Sequence, residues 1–200
     1  MTTNADNVLG FGSDDDSLYL GPYDPALATK IQGLTTAIPT ALKDCGWISD
    51  DGIKLTMDDS VTKIKGHQGH GTVRTFMDSS ETGLEAALLE SQLDIVTRFL
   101  NAKAEKIQEQ IGAGPQKTDV AKLTAKAQRT VVVLSGILDV FDTASTGDAR
   151  TRMRIVLPRL ELGERGEVPF KVGELTAWSY KLSVLGDYVI YSNAKSLLPA

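Results

Sequence analysis

Polar and apolar positions alternate along much of this chain, and the alternation has two periods. From Ile53 the apolar residues Ile53, Leu55 and Met57 interleave with Lys54, Thr56 and Asp58. A period of two puts the two sets on opposite faces of a strand. Val73–Met77 reads as a second strand, and Thr82, Leu84, Ala86 and Leu88, interleaved with Gly83, Glu85 and Ala87, as a third. Between the first two lies a polar, glycine-containing stretch from Asp59 to Gly71, read as a loop. Upstream, Ser17–Leu20 is a short strand closed by Gly21-Pro22. Downstream, Thr130–Leu134 continues through Gly136–Phe141 as a buried strand, and Arg152–Leu157 is another, with Pro158 placing its end or a sheet edge there. Val168 and Phe170 are short strand material. Leu175–Leu185 puts Trp178, Tyr180, Leu182 and Val184 on one face, and Tyr188–Tyr191 adds a little more.

One segment has the other period. Leu93, Val96, Leu100, Ala104, Ile107 and Ile111 recur at spacings of three and four, the stripe of an amphipathic helix over 91–111. Ser91 suits its N-cap, Asp94 its positive N-terminus, and Asp94 and Arg98 stand at i,i+4. Gly112, Gly114 and Pro115 end it. Such a helix is about 30 Å long and would lay its stripe on a sheet. Runs of strands interrupted once by a helix predict a mainly β (α+β) chain: an antiparallel β-sandwich or partial barrel with one long flanking helix. Residues 1–16 are polar and rich in Gly and Asp, and 22–40 carry Pro22, Pro25, Gly33 and Pro39. The reading therefore divides the chain into an extended N-terminal arm (1–40), a β domain (41–193) and a loose C-terminal tail (194–200).

Three stretches carry a resemblance. LKDCGWISDDGI leads through an acidic-acidic-glycine turn into a strand. DDSVTKIKGHQGHGTVRTFMDSSETGLEAALLES gives an acidic loop, a Lys-rich turn, a Val-Arg-Thr strand and a closing strand into a helix. IVLPRLELGERGEVPFKVGELTAWSYKLSVL ends the pattern. In that order they resemble the tail tube (major tail) proteins of long-tailed bacteriophages, over roughly half the chain. The resemblance implies a β-sandwich with a flanking helix, long extensions and an extended inter-subunit loop. It also implies six-fold rings that stack into a hollow tube through which DNA passes without specific binding. The implied partners are other copies of the chain, the tape measure, the tail tip and the terminator. The implied location is the virion tail, after synthesis in the host bacterial cytoplasm. At 116–128, Val120, Leu123 and Ala127 fit a helical turn, whereas the family has extended chain there; the longer helix is this sequence's main departure from the family.

Composition narrows the picture further. Two hundred residues, 42% hydrophobic and 24% charged, are an ordinary globular composition with material for one sizeable core. No apolar run approaches a membrane span, the first residues lack a signal-peptide pattern, and a single cysteine, Cys45, permits no internal disulfide. Net charge is −5, but residues 1–60 hold ten Asp and three Lys, a balance of −7, against +2 for the remainder. A nucleic-acid binder would present a basic face. An acidic wall instead repels DNA and lets it slide.

Candidate chemistry is sparse. His67-x-x-His70 with Cys45 upstream supplies three zinc-type ligands, but a fourth would have to be recruited. Asp14 and Asp16 stand at alternate positions, as calcium ligands do, but apolar and aromatic residues follow. Gly66, Gly69 and Gly71 lack dinucleotide-loop spacing, and no nucleophile elbow or phosphate loop occurs. The reading therefore assigns no catalytic residue, cofactor or metal, and takes the chain as a structural protein rather than an enzyme. The expected inter-subunit contacts are Asp59, Lys63, Lys65, His67, His70 and Arg74, with the basic cluster meeting the acidic first 60 residues of a neighbour. Leu93, Val96, Leu100, Ile107 and Ile111 are expected to pack on the sheet. Two alternatives remain. One is another ring component: a distal tail, terminator or contractile-injection tube protein. The other is a monomeric β-sandwich binding module with Trp47, Trp178 and Tyr180 as a stacking platform.

Overall fold

The computed structural model describes residues 7–112, 114–147 and 150–199. The chain is mainly β and its sheets are antiparallel. The strands are β1 (Ser17–Pro22), β2 (Lys43–Asp44), β3 (Ile48–Lys65), β4 (Thr72–Leu88), β5 (Ala102–Gln110), β6 (Lys117–Ala125), β7 (Val132–Phe141), β8 (Arg152–Arg165), β9 (Trp178–Val184) and β10 (Val189–Ser192). Helices α1 (Leu27–Lys30) and α2 (Leu93–Leu100) complete the regular structure, with a 3-10 turn at Lys195–Leu197. The main sheet runs β2-β1-β7-β8-β9-β4-β3, with β10 also on β8, while β5 and β6 form a separate hairpin. No helix among the described residues is long and apolar enough to cross a membrane.

Register explains how one sheet carries two cores. Leu18, Leu138 and Ile155 stand opposite one another across β1, β7 and β8, and so do their neighbours Tyr19, Ile137 and Val156. Side chains alternate faces, so the first row enters the large cluster shared with β4, β9 and α2, and the second enters a smaller cluster with Leu27, Ile31 and Leu42. Pro158 does not end β8. It falls where β8 changes neighbours, from β10 at Met153–Val156 to β9 at Leu160–Arg165, and where β8 is bulged, Pro158 and Arg159 together facing Ser135 of β7. A residue without an N–H is tolerated at such a break. There the Ser135 hydroxyl donates to the Pro158 carbonyl at 2.5 Å.

The smaller cluster corrects the expected arm. Within 1–40, β1 is built into the sheet between β2 and β7, and Leu27 and Ile31 are fully buried. Segment 31–36 is clamped from beneath: Arg154 Nη1 donates to the Thr36 carbonyl (2.7 Å) and the Gly33 carbonyl (3.3 Å), and Tyr191 Oη to the Ile31 carbonyl (2.9 Å). Arg154 is itself buried and paired to Asp139 through two bonds of 2.6 and 2.7 Å. The tail is partly tied down too, since Ala194 is buried and Asn193 bridges to Arg150 and Arg152.

The helix is also corrected. α2 stops at Leu100, where Asn101 adopts a left-handed conformation (φ 51°) and its N–H returns to the Arg98 carbonyl. Gln92, not Ser91, occupies the N-cap position, and the Ser91 hydroxyl instead accepts from Trp178 Nε1. Beyond Asn101 the chain is β5, which pairs residue for residue with β6 across the turn around Gly112, Gly114 and Pro115. Glu105 meets Lys122, and Asp119 pairs with Lys106 and Gln108. Of the expected packing residues, Val96 is buried and Leu100 half-buried on the core, but Leu93 is exposed. Ile107 lies on the hairpin and Ile111 past its end. The residues that anchor α2 are Ile95, Val96 and Phe99. Phe99 meets Trp178 edge-on (5.4 Å) and Tyr180 at 5.6 Å, and Tyr180 Oη donates to the Ile95 carbonyl at 2.6 Å. Val168 and Phe170 lie outside any strand.

Candidate assembly surface

The polar stretch at 59–71 is mostly strand. β3 continues to Lys65, β4 begins at Thr72, and only 66–71 turn, with Gly69 and His70 left-handed. β4 likewise joins the expected second and third strands into one. Its Thr82–Leu88 half pairs with β9, whereas Thr72–Glu81 pairs only with β3 among the described residues. The result is a two-stranded ribbon projecting from the sheet by about 25 Å, at 3.3 Å per residue. Extra residues on β4 at Asp78 and Val73 make two bulges in it. Bulges sharpen the local twist and re-aim side chains. Thr62 Oγ1 donates to Asp78 Oδ2 at 2.7 Å across the first of them.

All six expected contact residues lie on this ribbon and are exposed. Asp59 stands at its base opposite Ser80. Lys63 and Lys65 lie near its end opposite Thr75 and Thr72, and His67 and His70 are in the turn. Arg74, opposite Ile64, is on the other face, its guanidinium 4.9 Å from the Phe76 ring. Residues 60–77 contain three Lys or Arg and no acid. The alternation that buries Leu84 against Leu55 carries Met57, Val61 and Met77 outward on the same face, past the end of the core. Ile64 and Phe76 occupy the opposite face. Met77 is 59% exposed and Met57 65%. Sequence reasoning placed the charges but missed these apolar residues, because it read half of the ribbon as loop. The β-branched residues Val61, Thr62 and Ile64 were the available signal.

The other candidates do not come together. Cys45 is buried before the start of β3, with its thiol pushed up to about 12 by burial, while His67 and His70 lie past the far end of that strand. Among the described residues no three His, Cys, Asp or Glu side chains form a metal-binding group. Asp16 accepts from the Phe141 N–H (2.8 Å), and Asp15 pairs with Arg150 (2.8 Å), so these acids tie the N-terminal segment to the end of β7 and to the approach to β8. Trp178 and Tyr180 are core residues and Trp47 is 76% exposed, so the three form no common platform. Compared with protein-family models and with curated proteins, the chain matches none.

Proposed function

We propose that this chain is a self-assembling structural subunit, a bacteriophage tail tube protein. Its copies close into rings, six to a ring by the family resemblance, and the rings stack into a channel that delivers DNA. It acts as wall rather than catalyst. The observation that carries the reading is the β3–β4 ribbon. A two-stranded ribbon is marginal in water on its own. This one exposes apolar side chains on both faces, and the main sheet ends at β3 in a long strand whose outer edge has no neighbour among the described residues. An exposed edge of that length is a ready template for pairing with another chain, and natural proteins rarely leave one uncovered. A heterologous contact made this way closes into a ring when its rotation closes.

Two further features support it. The first 60 residues carry the net −7 that suits a wall past which DNA slides. The stretch 101–128, read from sequence as the main departure from the family because of a longer helix, instead carries the strands β5 and β6. The test is light scattering and negative-stain electron microscopy of the purified chain across concentration, with and without a tail-tip nucleus. Hollow tubes or stacked rings are expected, and isolated rings that never stack would point to a distal tail or terminator component. A strict monomer with the nucleus present overturns the reading and favours a binding module.

A further inference from the structure

At the opposite end of β3 from the ribbon tip the surface is hollow. A cleft of about 710 Å³ lies among the segment before β1, the β2–β3 connection and the start of β3. Five carboxylates line it (Asp14, Asp16, Asp44, Asp50 and Glu90), and no lysine or arginine does. Local chemistry builds its aromatic wall. Asp44 Oδ1 accepts from the Gly46 N–H (2.8 Å), and Gly46 takes a left-handed conformation (φ 68°) that leaves no room for a Cβ against the Glu90 side chain. The turn swings Trp47 outward while its N–H donates to Glu90 Oε1 (3.0 Å) and its carbonyl accepts from Leu89. Trp47 is therefore a large aromatic held in place by its own backbone and facing solvent. Ser49, also in the lining, has a buried hydroxyl with no hydrogen-bond partner among the described residues. A buried polar group left unpaired is costly.

We infer that this cleft receives the ribbon tip of a second copy of the chain, with Lys63 and Lys65 among its carboxylates and the tip's apolar residues against Trp47. The inference rests on the self-assembly reading and names the surface that the ribbon meets. Charge argues for this occupant: the tip has three bases and no acid, and the cleft has five acids and no base. Opposed patches of this kind steer encounter and fix register. Tryptophan is among the residues most enriched at the anchors of interfaces. Placement argues for it too. Tip and cleft lie at the two ends of the same 18-residue strand, on the order of 50 Å apart along it. Two complementary surfaces at opposite ends of one body make a head-to-tail contact that repeats from copy to copy.

The test is zero-length carbodiimide coupling of carboxylates to lysines on the assembled full chain, with ¹⁵N-labelled and unlabelled copies mixed so that links between copies are identified by mass. Links from Lys63 or Lys65 to Asp14, Asp44 or Asp50 of another copy are expected. Two charge-reversed chains accompany it, K63E/K65E and D14K/D50K, all at exposed positions. Each alone should raise the concentration needed for assembly by at least about tenfold, and the four changes in one chain should restore it. Assembly without tip-to-cleft links, or reversals that are harmless or never rescue one another, overturns this inference and leaves the tube reading intact. A chain that stays monomeric even with a nucleus overturns both.

Discussion

Strand β4 is two regions in one element. Its Thr82–Leu88 half lies between β3 and β9, with Leu84 and Leu88 completely buried; its Thr72–Glu81 half pairs, among the described residues, with β3 alone and stays exposed. Both halves contain β-branched or apolar residues at alternating positions, and both are strand. The difference is therefore not one of local propensity. In the first half, burial of an apolar row against β9 and α2 offsets the entropy of ordering the chain. In the second, the apolar row is present and its counterpart is not. A sequence that spends Met57, Val61, Phe76 and Met77 on an exposed ribbon is shaped for a surface outside its own fold.

Substitutions that separate the two regions should differ sharply in effect. The largest loss is expected in the body, at Arg154→Met. It strands Asp139 as an uncompensated buried charge and frees the carbonyls of segment 31–36, a cost of about 3–5 kcal/mol in denaturant unfolding of the monomer. A loss below about 1 kcal/mol would mean that segment 22–40 is held without the Arg154 contacts, by its apolar residues and the Tyr191 bond. Next, Leu84→Ala should cost about 2–5 kcal/mol as a core truncation, whereas Met77→Ala, on the same strand and the same face, should stay within about 0.5 kcal/mol. Equal losses at the two positions would erase the distinction between body and ribbon. Met77→Ala should instead weaken assembly.

A smaller effect concerns Cys45. Burial raises its thiol to about 12, so the folded chain should resist thiol reagents at pH 8 and react on unfolding. The thiol favours its neutral form more in the fold than in the unfolded chain. The stability this contributes is full below about pH 9 and declines as pH rises from there toward 12. Cys45→Ala should flatten that part of the alkaline limb, and a native thiol that titrates readily at pH 8 would show the core open at this point. Smallest in energy is amide exchange within the free monomer. The Thr72–Glu81 half should exchange far faster than Thr82–Leu88, and the difference should vanish in assembled material.

How much was legible in the sequence follows the same division. Apolar runs and alternation with buried β-branched or aromatic residues located β7 and β9 within a few residues and the start of β8, since each is read by its own core face, but Pro158 cut β8 eight residues short. It failed where structure depends on partners far along the chain. The segment 22–40 carries four turn-forming residues and no period, and nothing local says that Arg154 and Tyr191 will hold its carbonyls. At 102–110, Ala104 and Ile107 continue the three- and four-residue spacing of Leu93, Val96 and Leu100 among mostly good helix formers, so the stripe extended α2 through it. Pairing with β6 overrode that preference, and Gly112, Gly114 and Pro115 close a hairpin rather than cap a helix. For the surface, residue charge was legible and residue placement was not. Lys63, Lys65 and Arg74 stood out from sequence, but their relation to Ile64, Phe76 and the cleft at Trp47 requires the register of β3 on β4.

The central claim is that the ribbon serves a neighbour and not its own fold. It is tested most directly by replacing Ser60–Ser79 with a two-residue Asn-Gly turn and examining the full chain by electron microscopy and thermal unfolding together. The account predicts a monomer that unfolds within a few degrees of the parent and forms no tubes or stacked rings at concentrations where the parent does. Tubes that still form without the ribbon, or a body that no longer folds in its absence, would contradict it.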